Sequence, residues 1–274
     1  MNPRSNRRIQ DLKGRRALVT GASRGLGRHI ALSLAGRGAT VALSARDRSR
    51  LEGVRRTILR AGGKAIVCPA DALSSAQVER AVETAVRRLG GLDILVNNAG
   101  GAERFAGLTE LNESDWSAAY DLNVLSILRF TRAALPALRR SRSGRIINIA
   151  SVSGLEPGRF NPHYSTAKAA AIHLSKVLAN ELAPMRITVN TVCPGPLRTD
   201  AWERNLADQA VRRRLPLSVC RKRVEQEEAA KVPLGRVGEC SDVTGLVDWL
   251  AGDSAAWTTG SCLRIDGGKL RSIG

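Results

Sequence analysis

RALVTGASRGLG, residues 16–27, sets a short β-branched run against a turn with glycines at 21, 25 and 27. The pattern that follows, GRHIALSLAGRG (27–38), repeats its apolar residues at helical spacing. A strand that ends in a glycine-rich turn and opens a helix places unpaired backbone N–H groups and a positive dipole end at the head of that helix. Glycines there let the backbone come close to a pyrophosphate. The spacing G-x-x-x-G-x-G is one residue looser than the usual dinucleotide fingerprint, but the physical logic is the same. A tight strand-to-helix turn alone would explain the glycines equally well. What moves the reading to cofactor binding is that the turn follows the first strand of an alternating chain.

That alternation runs to the C-terminus. TVALSA (40–45), KAIVCP (64–69), DILVN (93–97), RIINIAS (145–151), RITVNTV (186–192) and CLRI (262–265) are further short, nearly continuous apolar runs. Such runs mark strands buried on both faces, as in parallel sheets. Between them lie helical patterns such as SSAQVERAVETAVRRLG (74–90) and one long helix expected from Ser114 to Arg139, capped by Asn112 or Ser114. Gly62–Gly63 and Gly90–Gly91 stand where helices close. Seven strands alternating with helices predict an α/β fold: one doubly wound, seven-stranded parallel sheet with helices on both faces. The expected organisation is a basic tail over residues 1–11 and a single domain over 12–274. Two polar helices interrupt that domain at about 200–231.

Composition bounds the function. The 274 residues are 43% apolar, and no run approaches a membrane span. MNPRSNRR is basic but has no apolar region behind it, so it does not read as an export signal. The five cysteines are scattered, without metal-ligand spacing, and read as reduced thiols of a cytoplasmic protein; no metal site is expected. The formal net charge is +18, and 36 of the 43 basic residues are Arg. They spread along the chain and are not interleaved with aromatics, which make up 3%. This argues for a solvated surface, with attraction of phosphorylated or acidic ligands as the lesser reading, and against nucleic acid.

Other candidate residues fall at strand ends, where open α/β sheets bind ligands. The second apolar run ends LSARD: Ala45 stands where an acid would accept from a ribose hydroxyl, and Arg46 follows. Arg24, inside the glycine-rich turn, offers a second guanidinium, and two around a 2′-phosphate favour NADP(H). Asp47 is the competing acid, two residues late. NNAG (97–100) closes the fourth run, and Asp71 ends the extension of the third. In NPHYSTAKAA (161–170), Tyr164 and Lys168 stand four apart and share one helix face.

Together these motifs resemble the short-chain dehydrogenase/reductase family, in the family's order, over roughly residues 12–268. The matching stretches are TGASRGLG, the Arg46 position, Asp71, NNAG, Asn123 in YDLNV, Ser151 in IINIASVSG, YSTAK and PGPLRT (194–199). The resemblance implies a Rossmann-like fold and a catalytic set of Asn123, Ser151, Tyr164 and Lys168. Tyr164 would exchange a proton with a ketone or alcohol, Ser151 would hold the substrate oxygen, and Lys168 would bind the nicotinamide ribose. Asn123 would hold Lys168 through its amide and a water. A phenol of ordinary pKa about 10 is a poor acid–base group near neutrality, so the ammonium is expected to lower it. The NADP(H) contacts implied are Gly21, Ser23, Arg24, Gly25, Leu26, Gly27, Arg46, Asp71, Ala72, Asn98, Ala99, Gly100, Tyr164, Lys168, Pro194, Gly195 and Thr199. Val192 would reach the carboxamide end. His163 reads as a loop or pocket wall, and His29 and His173 as structural. The segment 200–231 falls at the family's substrate lid, with Trp202, Leu206, Leu215 and Leu217 lining a pocket or packing the lid.

The substrate is less legible. Length and several motifs resemble 3-oxoacyl-carrier-protein reductases, and a basic surface suits an acidic carrier protein. That branch commonly carries LARE after the catalytic helix, where this chain has LANE with Asn180. A small-molecule ketone or secondary alcohol is therefore the favoured substrate, and an acyl thioester on carrier protein or coenzyme A the alternative. A non-catalytic NADP sensor would be expected to show a damaged Tyr, Lys or Ser. The family resemblance also implies a homotetramer or dimer.

Overall fold

A computed structural model of the chain describes residues 11–102, 104–157 and 161–272. The basic tail expected over 1–11 lies almost wholly outside them. Among the described residues there are nine strands: β1 (Arg16–Thr20), β2 (Thr40–Ser44), β3 (Lys64–Val67), β4 (Ile94–Asn97), β5 (Gly144–Ile149), β6 (Ile187–Pro194), β7 (Leu197–Arg198), β8 (Gly238–Glu239) and β9 (Cys262–Ile265). Between them the described residues form the α-helices α1 (Gly25–Gly36), α2 (Arg48–Arg60), α3 (Ser75–Leu89), α4 (Glu113–Tyr120), α5 (Ser126–Leu138), α6 (Pro162–Leu182), α7 (Asp200–Arg213), α8 (Leu217–Ala229) and α9 (Cys240–Ala251).

Seven strands form one parallel sheet in the order β3-β2-β1-β4-β5-β6-β9, a Rossmann-like arrangement. Alternate residues of each strand feed two cores. Ala17 and Val19 point to a core closed by Ile30 and Leu34 of α1, Leu51 and Ile58 of α2, and Val243 and Val247 of α9. Leu18 points the other way, to a core closed by Val78 and Val82 of α3, Phe130 of α5 and Leu178 of α6. Burial on both faces is why the strands read as continuous apolar runs. β1 pairs with β2 on one side and β4 on the other, so the strand order reverses there. A crevice opens at such a switch point, beyond the strands' C-terminal ends.

The helix expected from Ser114 to Arg139 runs without a break from Glu113 to Leu138, but it is not α-helical throughout. α4 starts at Asn112, whose side chain accepts from the Asp115 N–H, and runs to Tyr120. A π-turn over Asp121–Leu125 then widens the helix before α5. Gly90 closes α3 in the left-handed region, as its position predicts. α7 and α8 pack on each other through a small core of Leu206, Ala210, Cys220 and Val224, backed by Trp202 and Leu215. Three of the four apolar residues noted in this segment therefore hold the two helices together, while Leu217 is exposed. Among the described residues no helix is long and apolar enough to cross a membrane.

Candidate active site

A cleft of about 1020 Å³ follows the C-terminal ends of the strands across the switch point. Every cofactor-binding position named from the sequence borders it, as do Ser151, Tyr164 and Lys168; Asn123 and Val192 do not. Val192 is wholly buried within the sheet, where it pairs with Ile149 and Leu263. Val192 therefore does not reach the cleft where its contact with the carboxamide end was expected.

The glycine-rich turn is built for close approach. A Cβ on Gly27 would lie 2.3 Å from both Asn98 Nδ2 and the Gly21 carbonyl oxygen, far inside contact distance. Asn98 clamps this turn: its backbone N–H donates to Thr20 Oγ1 at 2.9 Å and its amide to the Thr20 carbonyl at 2.9 Å. The NNAG motif therefore braces the turn from the end of β4. α2, α3, α4 and α7 each have a side-chain cap, from Asp47, Ser74, Asn112 and Thr199. α1 has none, and its first-turn N–H groups face the cleft beside Arg24. An uncapped helix start over a cradle that any side chain would fill fits a dinucleotide pyrophosphate.

At the end of β2 the acid that competed for a ribose contact is occupied elsewhere. Asp47 accepts from the Arg50 N–H at 3.0 Å, capping α2, and pairs with the Arg50 guanidinium at 3.2 Å. Arg24 and Arg46 border the cleft and join no ion pair among the described residues. Asp71 serves its own loop: its carboxylate accepts from the Leu73 N–H at 3.1 Å, and its N–H donates to Gln77 Oε1 at 3.0 Å.

The catalytic candidates converge at the other end. Tyr164 and Lys168 lie one turn apart on α6, and the Lys168 ammonium stands 5.7 Å from the centre of the Tyr164 ring. Lys168 is buried, and Nζ donates to the Ile149 carbonyl at 2.9 Å. Ser151 follows β5 in extended conformation, accepts from the Ser153 N–H at 3.1 Å, and borders the cleft together with Tyr164.

Asn123 sits in the π-turn and is held by main chain. Its Oδ1 accepts from the Gly101 N–H, and its Nδ2 donates to the Gly101 and Ala119 carbonyls, all at 2.9–3.0 Å. A Cβ on Gly100 would lie 2.8 Å from Asn123 Oδ1 and 3.1 Å from Lys168 Nζ. Gly100 thus lets the two side chains approach each other without a direct hydrogen bond.

The electrostatics correct one expectation. On balance the Tyr164 pKa is not lowered: burial pushes it up, and the nearby Ser151 hydroxyl pulls it only partly back. Burial instead lowers Lys168 to about 8. Tyr164 still keeps part of its surface open to the cleft. His163, next to it, turns inward: it is buried, and its ring meets Trp116 edge-on with centroids 6.3 Å apart. His29 Nδ1 lies 2.8 Å from the Gly25 carbonyl and braces the first turn of α1.

Two arrangements escaped the sequence reading. Cys193 and Cys262, 69 residues apart, bring their sulfurs to 3.4 Å on neighbouring strands. Asn97 donates to Asn148 Oδ1 at 2.8 Å and Asn148 to Ser175 Oγ at 2.8 Å, a polar chain that ties β4 and β5 to α6 beneath the site. Buried amides so arranged fix the relative position of those elements. Asparagines inside apolar runs were the available signal for that chain. Among the described residues no cluster of His, Cys, Asp and Glu forms a metal site.

Comparison with known proteins agrees with this geometry. The family model described as short chain dehydrogenase matches residues 15–210. The chain is 37% identical over 258 residues to a 3-oxoacyl-[acyl-carrier-protein] reductase of Escherichia coli, covering 94% of this chain and 98% of that protein. Among solved structures, a short-chain type dehydrogenase/reductase from Mycobacterium marinum superposes with a TM-score of 0.86 at 36% identity, covering 96% of this chain and 98% of that one. YwfH, an NADPH-dependent reductase involved in bacilysin biosynthesis, superposes with a TM-score of 0.87 at 29% identity, covering 94% and 99%.

Proposed function

Since the chain belongs to the short-chain dehydrogenase family, we propose that it is an NADP(H)-dependent ketoreductase acting on a small ketone or secondary alcohol, with Tyr164 as general acid–base. The observation that carries the reading is one cleft with Ser151, Tyr164 and Lys168 at one end and unpaired Arg24 and Arg46 beside an uncapped helix at the other. Bound NADP(H) supplies or accepts the hydride.

The chain's own residues do the rest. Ser151 and Tyr164 present two hydroxyls to one carbonyl oxygen, which orients it and stabilises the charge it gains. Tyr164 gives that oxygen its proton in reduction and takes it back in oxidation. Lys168, anchored on Ile149, places a positive charge beside the phenol and so favours the phenolate left after transfer. Asn123 holds the 101 loop against α4 and so fixes the wall behind Lys168. Arg24 and Arg46 select the 2′-phosphate, since neither is held in an ion pair among the described residues.

The substrate end supports a neutral ligand. Gly101, Ala102, Phe105 and Asn161 border the cleft and carry no charge. The α7–α8 pair acts as the lid, with Arg212 donating to the Phe105 carbonyl at 3.2 Å across the mouth. The similarity to a carrier-protein reductase favours the second reading, reduction of a 3-oxoacyl thioester. NADPH consumption measured against 3-oxoacyl thioesters and against cyclic ketones, keto-sugars and diketones separates the two. Turnover of the second panel is expected, with NADPH preferred over NADH. Turnover confined to thioesters would replace the small-ketone reading, and a preference for NADH would overturn the roles of Arg24 and Arg46.

We also propose that the protein works in the cytoplasm as a homotetramer. The exposed Trp249 on α9, Trp257 in the connection from α9 to β9 and Tyr120 on α4 are large apolar surfaces of the kind subunits cover. Sedimentation should give a mass near four chains at micromolar concentration; a monomer alone would refute the assembly.

A further inference from the structure

Arg204 lies on α7, within the lid, yet it borders the same cleft as the glycine-rich turn. Asp200, Arg204 and Asp208 stand four apart, so one stripe of α7 faces the cleft, with Ala201 and Asn205 alongside. The start of α7 touches the turn: a Cβ on Gly25 would lie 3.7 Å from Thr199 Cβ, and Thr199 caps α7 by accepting from the Trp202 N–H at 3.2 Å. The lid helix is thus seated on the loop that carries Arg24.

Four guanidiniums meet there, those of Arg24, Arg46, Arg50 and Arg204. Arg50 has Asp47 at 3.2 Å, whereas Arg24, Arg46 and Arg204 join no ion pair among the described residues. Other arginines of the lid are paired: Arg213 with Glu227 and Arg221 with Glu203. Asp47, Asp200 and Asp208 border the same cleft, but none forms an ion pair with Arg24, Arg46 or Arg204 among the described residues, and those like charges repel one another until an anion arrives. Arg24 registers that repulsion. Its pKa is lowered first by burial and next by Arg204, ahead of Arg50 and Arg46, while Asp200 acts the other way.

We propose that Arg204 is the third jaw of the site for the cofactor's 2′-phosphate, and that the phosphate thereby draws α7 down over the cleft. This rests on the NADP(H) reading above and extends it: the group that distinguishes NADPH from NADH also closes the substrate lid. A phosphate of nearly two negative charges interacts strongly with guanidiniums in fork geometry. One jaw rides on the strand-to-helix turn and one on the end of β2, so both are fixed by the sheet. The jaw on α7 is carried by the lid and couples phosphate recognition to lid position.

The test is direct binding to the full chain. NADPH and NADH are titrated by calorimetry into the wild type, Arg204→Gln and Arg204→Lys, and amide hydrogen exchange of residues 200–213 is followed with each cofactor. Arg204→Gln should weaken NADPH about tenfold and NADH less than twofold, with Arg204→Lys in between. NADPH, but not NADH, should slow exchange in 200–213, and Arg204→Gln should abolish that difference. An equal loss for both cofactors, no loss for either, or equal lid protection by both would overturn the role of Arg204. Wild-type protein that binds NADH as tightly as NADPH would instead overturn the phosphate site itself, Arg24 and Arg46 included.

Discussion

Tyr164→Phe is expected to lower turnover about 10²- to 10⁴-fold while leaving NADPH affinity and thermal midpoint near those of the wild type. The loss is large because among the described residues nothing else at this end of the cleft is placed to exchange a proton with the substrate oxygen. The Ser151 hydroxyl is a donor of far higher pKa, and the Lys168 ammonium is turned to the Ile149 carbonyl. The ring itself stays, so the wall of the cleft and the cation 5.7 Å from the ring centre are kept. Ser151 keeps its hydrogen bond from the Ser153 N–H. Steady-state turnover, calorimetric titration of NADPH and a melting curve on the same preparation check the three parts separately. A variant within tenfold of wild-type turnover would sink the general acid–base role.

Lys168→Met should do something less usual: abolish measurable turnover and raise the melting temperature. Lys168 is 4% exposed, and no carboxylate stands within ion-pair distance among the described residues. Burial lowers its pKa from 10.5 to about 8. At about 1.4 kcal/mol per unit, the folded protein carries a cost of ~3 kcal/mol near neutral pH to keep the ammonium charged. Methionine fills similar space without a charge but leaves the Ile149 carbonyl without its donor, so a net gain of about 1–2 kcal/mol is expected. The sign can be checked against pH. A lysine whose folded pKa lies below its unfolded one binds fewer protons when folded, so wild-type stability linked to it rises as pH climbs from about 8 to 10.5. The melting-temperature gap between variant and wild type should therefore narrow over that window. A variant less stable than wild type at pH 7 would show that the ammonium is better compensated than its surroundings suggest.

The strands were legible because a sheet buried on both faces leaves an uninterrupted apolar trace, and all seven runs became strands of the parallel sheet, with shifts of one or two residues at their ends. The glycine-rich turn was legible because close backbone approach restricts the residue type at Gly21 and Gly27. Less visible was what those glycines accommodate. The side chain against Gly27 belongs to Asn98, whose motif read as a cofactor contact and proves to brace the turn. The direction of the Tyr164 pKa was misread because spacing places a cation nearby but says nothing of burial, which outweighs it here. Arg204 was passed over because its role depends on where a whole helix lies, and periodicity within α7 carries no information about that. The Cys193–Cys262 approach, across neighbouring strands, was hidden for the same reason.

The π-turn between α4 and α5 sets a phase. Each residue of an α-helix advances the side chains by about 100°, so one surplus residue in a turn re-aims everything beyond it. Upstream, Ala119 packs with Ala167 of α6; downstream, Ile127 and Phe130 enter the sheet core. A regular helix through Asp121–Leu125 would satisfy one of these faces and rotate the other away. Asn123 occupies the slack between them, with its amide returned to the Ala119 carbonyl and the 101 loop. Shortening this segment by one residue would make the helix more regular and the cleft wall wrong. At this place length, more than residue identity, is what the chain cannot change.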